Sequence, residues 1–197
     1  MTTQPATPPS VRYLSFSAYI NRETVQTLIQ MMSKYHNEGV QEVYFMLTTG
    51  GGEVQHGIHL YNFLRGLPFR LTIHNVGYVN SVGNVVFLAG DRRYANPNAT
   101  FMFHGVGFTV SQGTRFEEQQ LRDRLEGVLR DQGRLGSIIQ ERTKLDEEVV
   151  KDLFSKAETK DAAWAAEHGL IDEIRDLQIP AGSPVDTLVV QQQKGTV

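Results

Sequence analysis

Short apolar runs alternate along this chain with segments in which apolar residues recur every three or four positions. Runs of β-forming residues predict strands, and the helical spacing predicts helices. The predicted strands cover residues 11–20, 42–48, 71–76, 92–95 and 100–104, and the predicted helices cover 22–38, 54–64 and 81–89. Strands and helices that follow one another in turn are typical of a parallel α/β core with right-handed crossovers.

The pattern changes after residue 114, where one long amphipathic helix is predicted to run to about Glu141. Asp146 and Asp161 are predicted to cap two shorter helices. The Pro-rich residues 1–10 are expected to form a flexible arm, and the Gln-rich residues 178–197 a weakly ordered tail. A single domain is therefore predicted for residues 11–177.

The composition excludes several classes of function. A net charge of −3 does not indicate the basic surface that binds nucleic acid or an anionic membrane. The chain has no cysteine, which excludes disulfides, thiolate catalysis and cysteine-bound zinc. No apolar run approaches the roughly 20 residues of a membrane helix, and the N-terminus lacks the basic and apolar segments of a secretory signal. A cytoplasmic protein without a nucleic-acid or membrane partner is expected.

Ser81 and His104 are the residues that indicate chemistry. Ser81 precedes a small apolar helix, and His104 lies 23 residues later in an apolar strand. A serine before a helix commonly caps it, and a lone histidine in an apolar strand is commonly structural. The functional alternative is a nucleophilic serine whose proton the histidine accepts, with backbone N–H groups stabilising the oxyanion. Gly50–Gly52 would supply such N–H groups, and the segment lacks the lysine of a phosphate-binding loop.

His56 and His59 form a His-x-x-His pair on the second predicted helix. A metal site would need a third ligand, and the sequence offers no evident candidate nearby. A solvated helix face is the simpler interpretation, so neither a metal nor a cofactor is predicted.

Four segments taken in order resemble the ClpP family, the proteolytic subunits of ATP-dependent Clp proteases. Gly77–Gly83 (GYVNSVG) is similar to the family's nucleophile motif, and Thr48–Gly52 (TTGGG) is similar to its glycine-rich turn. Ala89–His104 resembles the segment that ends in the family's Met-Ile-His, and Ala165–Asp172 its Ala-x-Glu-Tyr-Gly-Leu-Val/Ile-Asp. The similarity covers roughly residues 11–175 and is specific as an ordered set.

The resemblance implies a ClpP/crotonase-like spiral of βαβ units with a long handle helix, assembled as homo-oligomeric stacked rings. It implies that Ser81 is the nucleophile and His104 the base, and that Gly51, Gly52 and Val82 form the oxyanion and substrate-binding site. An AAA+ unfoldase is the partner that the resemblance implies. However, the segment before Val11 is shorter than the family's axial loop, which argues against a standard partnership.

One departure concerns the third member of the triad. An ungapped alignment from Asp146 to Asp172 places Ala157 where the family has an aspartate. Glu158 is the adjacent carboxylate and the candidate for the third role, and Asp152 and Asp161 lie within one or two helical turns. An orienting carboxylate fixes the tautomer of the histidine, and its loss costs on the order of 10⁴ in rate.

Three functions follow from these observations. The first is a serine endopeptidase of ClpP type that hydrolyses peptide bonds in unfolded proteins or peptides through an acyl-enzyme, with activity weakened by Ala157. The second is a catalytically weak or inactive subunit with a regulatory or structural role in a ring. The third is a crotonase-type acyl-CoA enzyme, which would need a CoA pocket and no essential serine.

Overall fold

A computed structural model describes residues 11–188, and its strands and helices alternate as the sequence pattern predicts. The strands are β1 Val11–Ser17, β2 Glu42–Thr49, β3 Arg70–Asn80, β4 Arg92–Ala95, β5 Thr100–Met102, β6 Thr159–Asp161, β7 Glu173–Ile174 and β8 Val185–Leu188. The helices are α1 Arg22–Asn37, α2 Val54–Arg65, α3 Gly83–Phe87, α4 Glu118–Arg142, α5 Glu147–Lys156 and α6 Ala162–Glu167.

The strands form one sheet whose main path runs β6-β5-β3-β2-β1-β8. β4 pairs with β3 and with β7 beside this path. Every pairing is parallel except that of β5 with β6. Parallel strands require crossover connections, and helices supply them between β1 and β2 and between β2 and β3. The predicted α/β class is thus confirmed.

Helix α1 begins where the sequence predicts. The side chain of Asn21 accepts a hydrogen bond from the Thr24 N–H at 3.0 Å, and the Asn21 N–H donates to Thr24 Oγ1 at 3.1 Å. This reciprocal capping satisfies two backbone donors that the first turn leaves unpaired. The chain entering the helix is fixed at the same point, because Ile20 forms an isolated bridge with Gly52. The predicted strand to residue 20 therefore ends at Ser17, and Ile20 supports the glycine-rich turn instead.

His74 on β3 is a fully buried histidine, next to the equally buried Asn75. Its Nε2 lies 3.2 Å from the Arg175 carbonyl oxygen, and its Nδ1 lies 2.7 Å from the hydroxyl of Tyr44. Because a carbonyl oxygen only accepts, Nε2 carries the proton and Nδ1 accepts from the hydroxyl. Burial lowers the pKa of His74 to about 4, against a smaller opposing effect of the hydrogen bond to the Arg175 carbonyl. His74 is therefore held neutral.

Helix α4 carries a row of exposed leucines at four-residue spacing, which share one face of the helix. Leu121, Leu125 and Leu129 each expose at least half of their surface. Farther along, the Gln55 amide on α2 donates to both carboxylate oxygens of Asp131 at 2.9 Å, and Arg134 donates to Gln55 Oε1 at 2.9 Å. These polar contacts join the second half of α4 to α2, whereas the residues of its first half are mostly exposed.

The end of the chain differs from the expectation of weak order. Val185–Leu188 forms β8, which pairs in parallel with β1, and Tyr35 donates to the Asp186 carboxylate at 2.7 Å. The predicted arm at 1–10 and the last residues of the predicted tail, 189–197, lie outside the described residues. Across residues 11–188, no helix combines the length and the apolar character needed to cross a membrane.

Candidate active site

Ser81 lies in the turn that joins β3 to α3. Its N–H donates to the Met102 carbonyl at 2.8 Å, and the Asn84 side-chain amide donates to the same oxygen at 2.8 Å. Asn80 is opposite Met102 in the β3–β5 pairing. These contacts fix the serine turn against the strand that leads to His104, two residues after Met102.

The backbone of Ser81 adopts a left-handed conformation, with φ of 56°. A residue with a Cβ atom in this region costs roughly 1–2 kcal/mol, which the surrounding contacts must offset. Gly51, with φ of 94°, passes so close that a Cβ added there would lie 2.7 Å from the Ser81 Cβ. The close approach requires glycine at position 51, and it brings the glycine-rich turn against the serine.

The three residues implied as the oxyanion site differ in their backbone hydrogen bonds and in their exposure. The N–H groups of Gly52 and Val82 have no hydrogen-bond acceptor within residues 11–188. The third predicted member, Gly51, is placed differently, because its N–H donates to Thr49 Oγ1 at 3.1 Å. Donors that point at the position of a developing negative charge are a main source of rate enhancement in acyl transfer. Of the two residues with an unpaired N–H, Gly52 is partly exposed and Val82 is fully buried, whereas Gly51 packs directly against Ser81.

Ser81 and His104 line one cleft of about 320 Å³, together with Gly52. Within residues 11–188, no hydrogen bond joins Ser81 Oγ to the His104 imidazole. Such bonds are often long in unliganded active sites and shorten when substrate binds. Several residues of the cleft wall were not predicted from the sequence, namely Tyr19, Val54, Leu135 and the segment 105–109. Only the alternation Gly-Val-Gly-Phe after His104, which suits an extended segment, would have indicated this wall.

His104 has one hydrogen bond, from its Nδ1 to the carbonyl oxygen of Gly105 at 2.7 Å. The strand around it continues the pairing of β5 with β6, because the Phe103 N–H donates to the Glu158 carbonyl at 2.8 Å. Extending this register by one residue sets Ala157 opposite His104, and the register changes directly afterwards, because the Gly105 N–H donates to Phe154 of α5. The position that the resemblance assigned to the third triad member is therefore next to the histidine, and it carries a methyl group.

The candidate carboxylates near this position all have other partners. Glu158 forms an ion pair with Lys160, and Asp152 accepts from Lys156 Nζ at 2.6 Å. Asp161 caps α6 by accepting from the Trp164 N–H at 2.8 Å. None of the three contacts His104 or lines the cleft. That Glu158 is the third member of the triad stays a prediction, and the observed partner of its carboxylate is Lys160.

The His-x-x-His pair is separate from this site. His56 contacts the Glu53 carboxylate, with 3.2 Å between Nε2 and Oε2, and His59 is exposed. Among residues 11–188 there is no group of three or more His, Asp or Glu side chains arranged to hold a metal ion.

Comparison with known proteins agrees with the order of these elements. The family model described as Clp protease matches residues 10–178. The chain belongs to the Clp protease family. It is 30% identical over 143 residues to the ATP-dependent Clp protease proteolytic subunit of Deinococcus radiodurans, an alignment that covers 69% of this chain and 66% of that protein.

The solved structure of a ClpP1 mutant from Listeria monocytogenes has the same fold. It superposes with a TM-score of 0.76 at 17% sequence identity, covering 85% of this chain and 92% of that one. The ClpP fold predicted from the four motifs is thereby confirmed. Neither relative is a crotonase-type acyl-CoA enzyme.

Proposed function

We propose that this Clp protease family member is a serine endopeptidase that hydrolyses peptide bonds in unfolded proteins or peptides through an acyl-enzyme. The observation that carries the proposal is the cleft itself. Ser81, held in a strained turn, shares that cleft with His104 and with the unpaired N–H of Gly52. Residues with strained backbone angles are concentrated at functional sites, because a conformation that costs energy persists only where the surrounding structure holds it.

The residues suggest a two-step mechanism. His104 Nε2 accepts the hydroxyl proton as Ser81 Oγ attacks the scissile carbonyl, and the N–H groups of Gly52 and Val82 stabilise the oxyanion. The imidazolium then gives its proton to the leaving amine. Water, activated by the same histidine, hydrolyses the acyl-enzyme and releases the serine. No cofactor or metal is part of this proposal.

The same proposal includes assembly. The exposed leucines of α4, Leu121, Leu125 and Leu129, would be buried against α4 of another subunit in stacked rings. A peptide or unfolded chain would be the substrate. An AAA+ unfoldase stays a candidate partner on the strength of the family, and nothing in residues 11–188 favours or opposes one.

A second function is favoured by one observation. Ala157 stands across from His104 without a carboxylate, which suits a catalytically weak subunit with a regulatory or structural role in a ring. The two candidates differ in turnover and in their need for Ser81.

The test is hydrolysis of a set of fluorogenic peptides and of unfolded casein by the purified protein, with Ser81→Ala as the matched variant. The proposal predicts turnover by the wild type that the variant lacks. Equal residual rates in both proteins, with both shown to be folded by circular dichroism, would contradict it and favour the second function.

A further inference from the structure

We propose that the main-chain carbonyl of Gly105 orients the His104 imidazole, in the place of a triad carboxylate. This role rests on the proposed function and adds a positioning group to it. The observation is the 2.7 Å contact between His104 Nδ1 and the Gly105 oxygen. A carbonyl oxygen has no proton to donate, so Nδ1 must carry the hydrogen in this contact. The neutral imidazole then has its lone pair on Nε2, the nitrogen that must accept the Ser81 proton.

The residue that carries this carbonyl is held by a hydrogen bond from its N–H to helix α5. The Gly105 N–H donates to the Phe154 carbonyl at 2.9 Å, two residues after the Phe103 N–H donates to Glu158. A Cβ at position 105 would lie 3.0 Å from Gln132 Oε1 and 3.5 Å from the Phe154 carbonyl oxygen, so Gly105 is closely packed against α4 and α5. These contacts fix Gly105 on its N–H side, which limits the positions open to its carbonyl oxygen.

Rival orienting groups are absent from the described contacts of His104. The Glu158, Asp152 and Asp161 carboxylates are bound to Lys160, Lys156 and the Trp164 N–H, and position 157 offers only a methyl group. Among residues 11–188, the Gly105 oxygen is the hydrogen-bond partner of this imidazole. The site is therefore a serine–histidine pair completed by a peptide group.

A neutral carbonyl oxygen replaces only one of the two functions of a triad carboxylate. It selects the correct tautomer, since Nδ1 is the donor, but it brings no negative charge to stabilise the imidazolium that forms during attack. Hydrogen bonds to charged groups are roughly twice as strong as neutral ones. The site should hence be slower than one with a carboxylate by about tenfold, and not by the 10⁴ that follows loss of tautomer control.

The direct test is the position of the proton. Protein labelled with ¹⁵N-histidine would be studied by magic-angle-spinning NMR at about pH 8.5, where the ¹⁵N shifts distinguish a protonated ring nitrogen from a bare one. Comparison with His104→Gln assigns the His104 signals. A protonated Nδ1 and a bare Nε2 are expected. A proton on Nε2, or an equal mixture of tautomers, would overturn the role of Gly105. This readout needs no turnover, so it decides the inference even if the proposed peptidase activity fails.

The functional test weakens the carbonyl itself. Replacing Val106 with its α-hydroxy acid converts the Gly105 carbonyl from an amide into an ester, which accepts hydrogen bonds less well. The Val106 N–H that is lost has no acceptor among the described residues. The same replacement at Val110, an exposed position, is the matched control. We expect kcat to fall about fivefold at 106 with KM unchanged, and to be unaffected at 110.

Ala157→Asp tests whether a carboxylate can replace the weakened carbonyl. In that background a carboxylate is available to Nδ1, so the ester at 106 should no longer lower kcat. An ester that leaves kcat unchanged in an active wild type would overturn the inference, as would an equal loss in both backgrounds. A merely structural role for Gly105 predicts that equal loss, because the fold is the same in the two backgrounds.

Discussion

Replacing Ala157 with aspartate puts a carboxylate at the position that the extended β5–β6 register sets opposite His104. Ala157 ends α5 in the left-handed conformation, with φ of 53° and ψ of 55°, and its side chain is exposed. Aspartate and asparagine tolerate this conformation better than alanine. The substitution should therefore leave the free energy of unfolding unchanged or raise it by up to about 1 kcal/mol.

The size of the gain in kcat distinguishes two states of the wild-type site. If the Gly105 carbonyl already holds the correct tautomer, aspartate adds only the stronger charge-assisted bond, worth about 1–1.5 kcal/mol and hence about tenfold in kcat. If nothing orients His104 in the wild type, the gain should approach 10⁴. Ala157→Asn is the matched control, because it has the same backbone preference without the charge.

The assay is steady-state hydrolysis of one fluorogenic peptide by the wild type and both variants, with unfolding by urea measured on the same preparations. We expect about tenfold higher kcat for Ala157→Asp, little change for Ala157→Asn, and similar KM for all three. A variant that is folded and no faster than the wild type would refute the reasoning that position 157 faces His104.

Further predictions concern the turn, the fold, the assembly and the candidate third residue. Gly51→Ala should lower kcat more than 100-fold and Gly50→Ala should not, since a Cβ at 51 meets Ser81 at 2.7 Å and one at 50 meets nothing; equal effects in peptide hydrolysis would contradict this. The pKa of His74 is about 6.5 in the unfolded chain and about 4 in the folded protein, so the unfolded chain binds a proton more readily between these pH values. The free energy of unfolding is therefore highest above about pH 6.5 and falls as the pH is lowered toward about 4. Urea unfolding should show about 2 kcal/mol less stability at pH 5 than at pH 7.5, a difference that His74→Gln removes; an unchanged difference would exclude His74 as its cause. Leu125→Lys should reduce the oligomer measured by sedimentation, and an intact assembly would show that this face of α4 is not the interface. Glu158→Gln should change kcat less than threefold because the carboxylate is paired with Lys160; a loss above 100-fold would make Glu158 the orienting group.

Much of the fold could be predicted from local pattern. The start of α1 was predictable because Asn21 and Thr24 are close in sequence and cap each other. β4 was predicted with its observed bounds, Arg92–Ala95. β6 and β8 were not predicted, because Thr159–Asp161 and Val185–Leu188 become strands only through pairing with distant partners, β5 and β1.

In the candidate site, too, features set by neighbouring residues could be predicted and features set by distant residues could not. Sequence order identified Ser81 and His104, which the structure brings to one cleft. It could not predict the left-handed backbone of Ser81, against which Gly51 packs from the turn that follows β2. The direction of Glu158 was equally hidden, since it depends on Lys160, two residues away on an edge strand. Side-chain direction at such an edge follows from the paired geometry and not from composition.

The central claim is that Ser81 is an activated nucleophile. The most direct measurement is the intact mass of the purified protein after incubation with a fluorophosphonate, followed by peptide mapping, with Ser81→Ala and His104→Ala treated in parallel. The account predicts a single adduct on Ser81 that is absent from Ser81→Ala and much slower to form in His104→Ala. A folded wild-type protein that forms no adduct, or forms one at the same rate without His104, would contradict it.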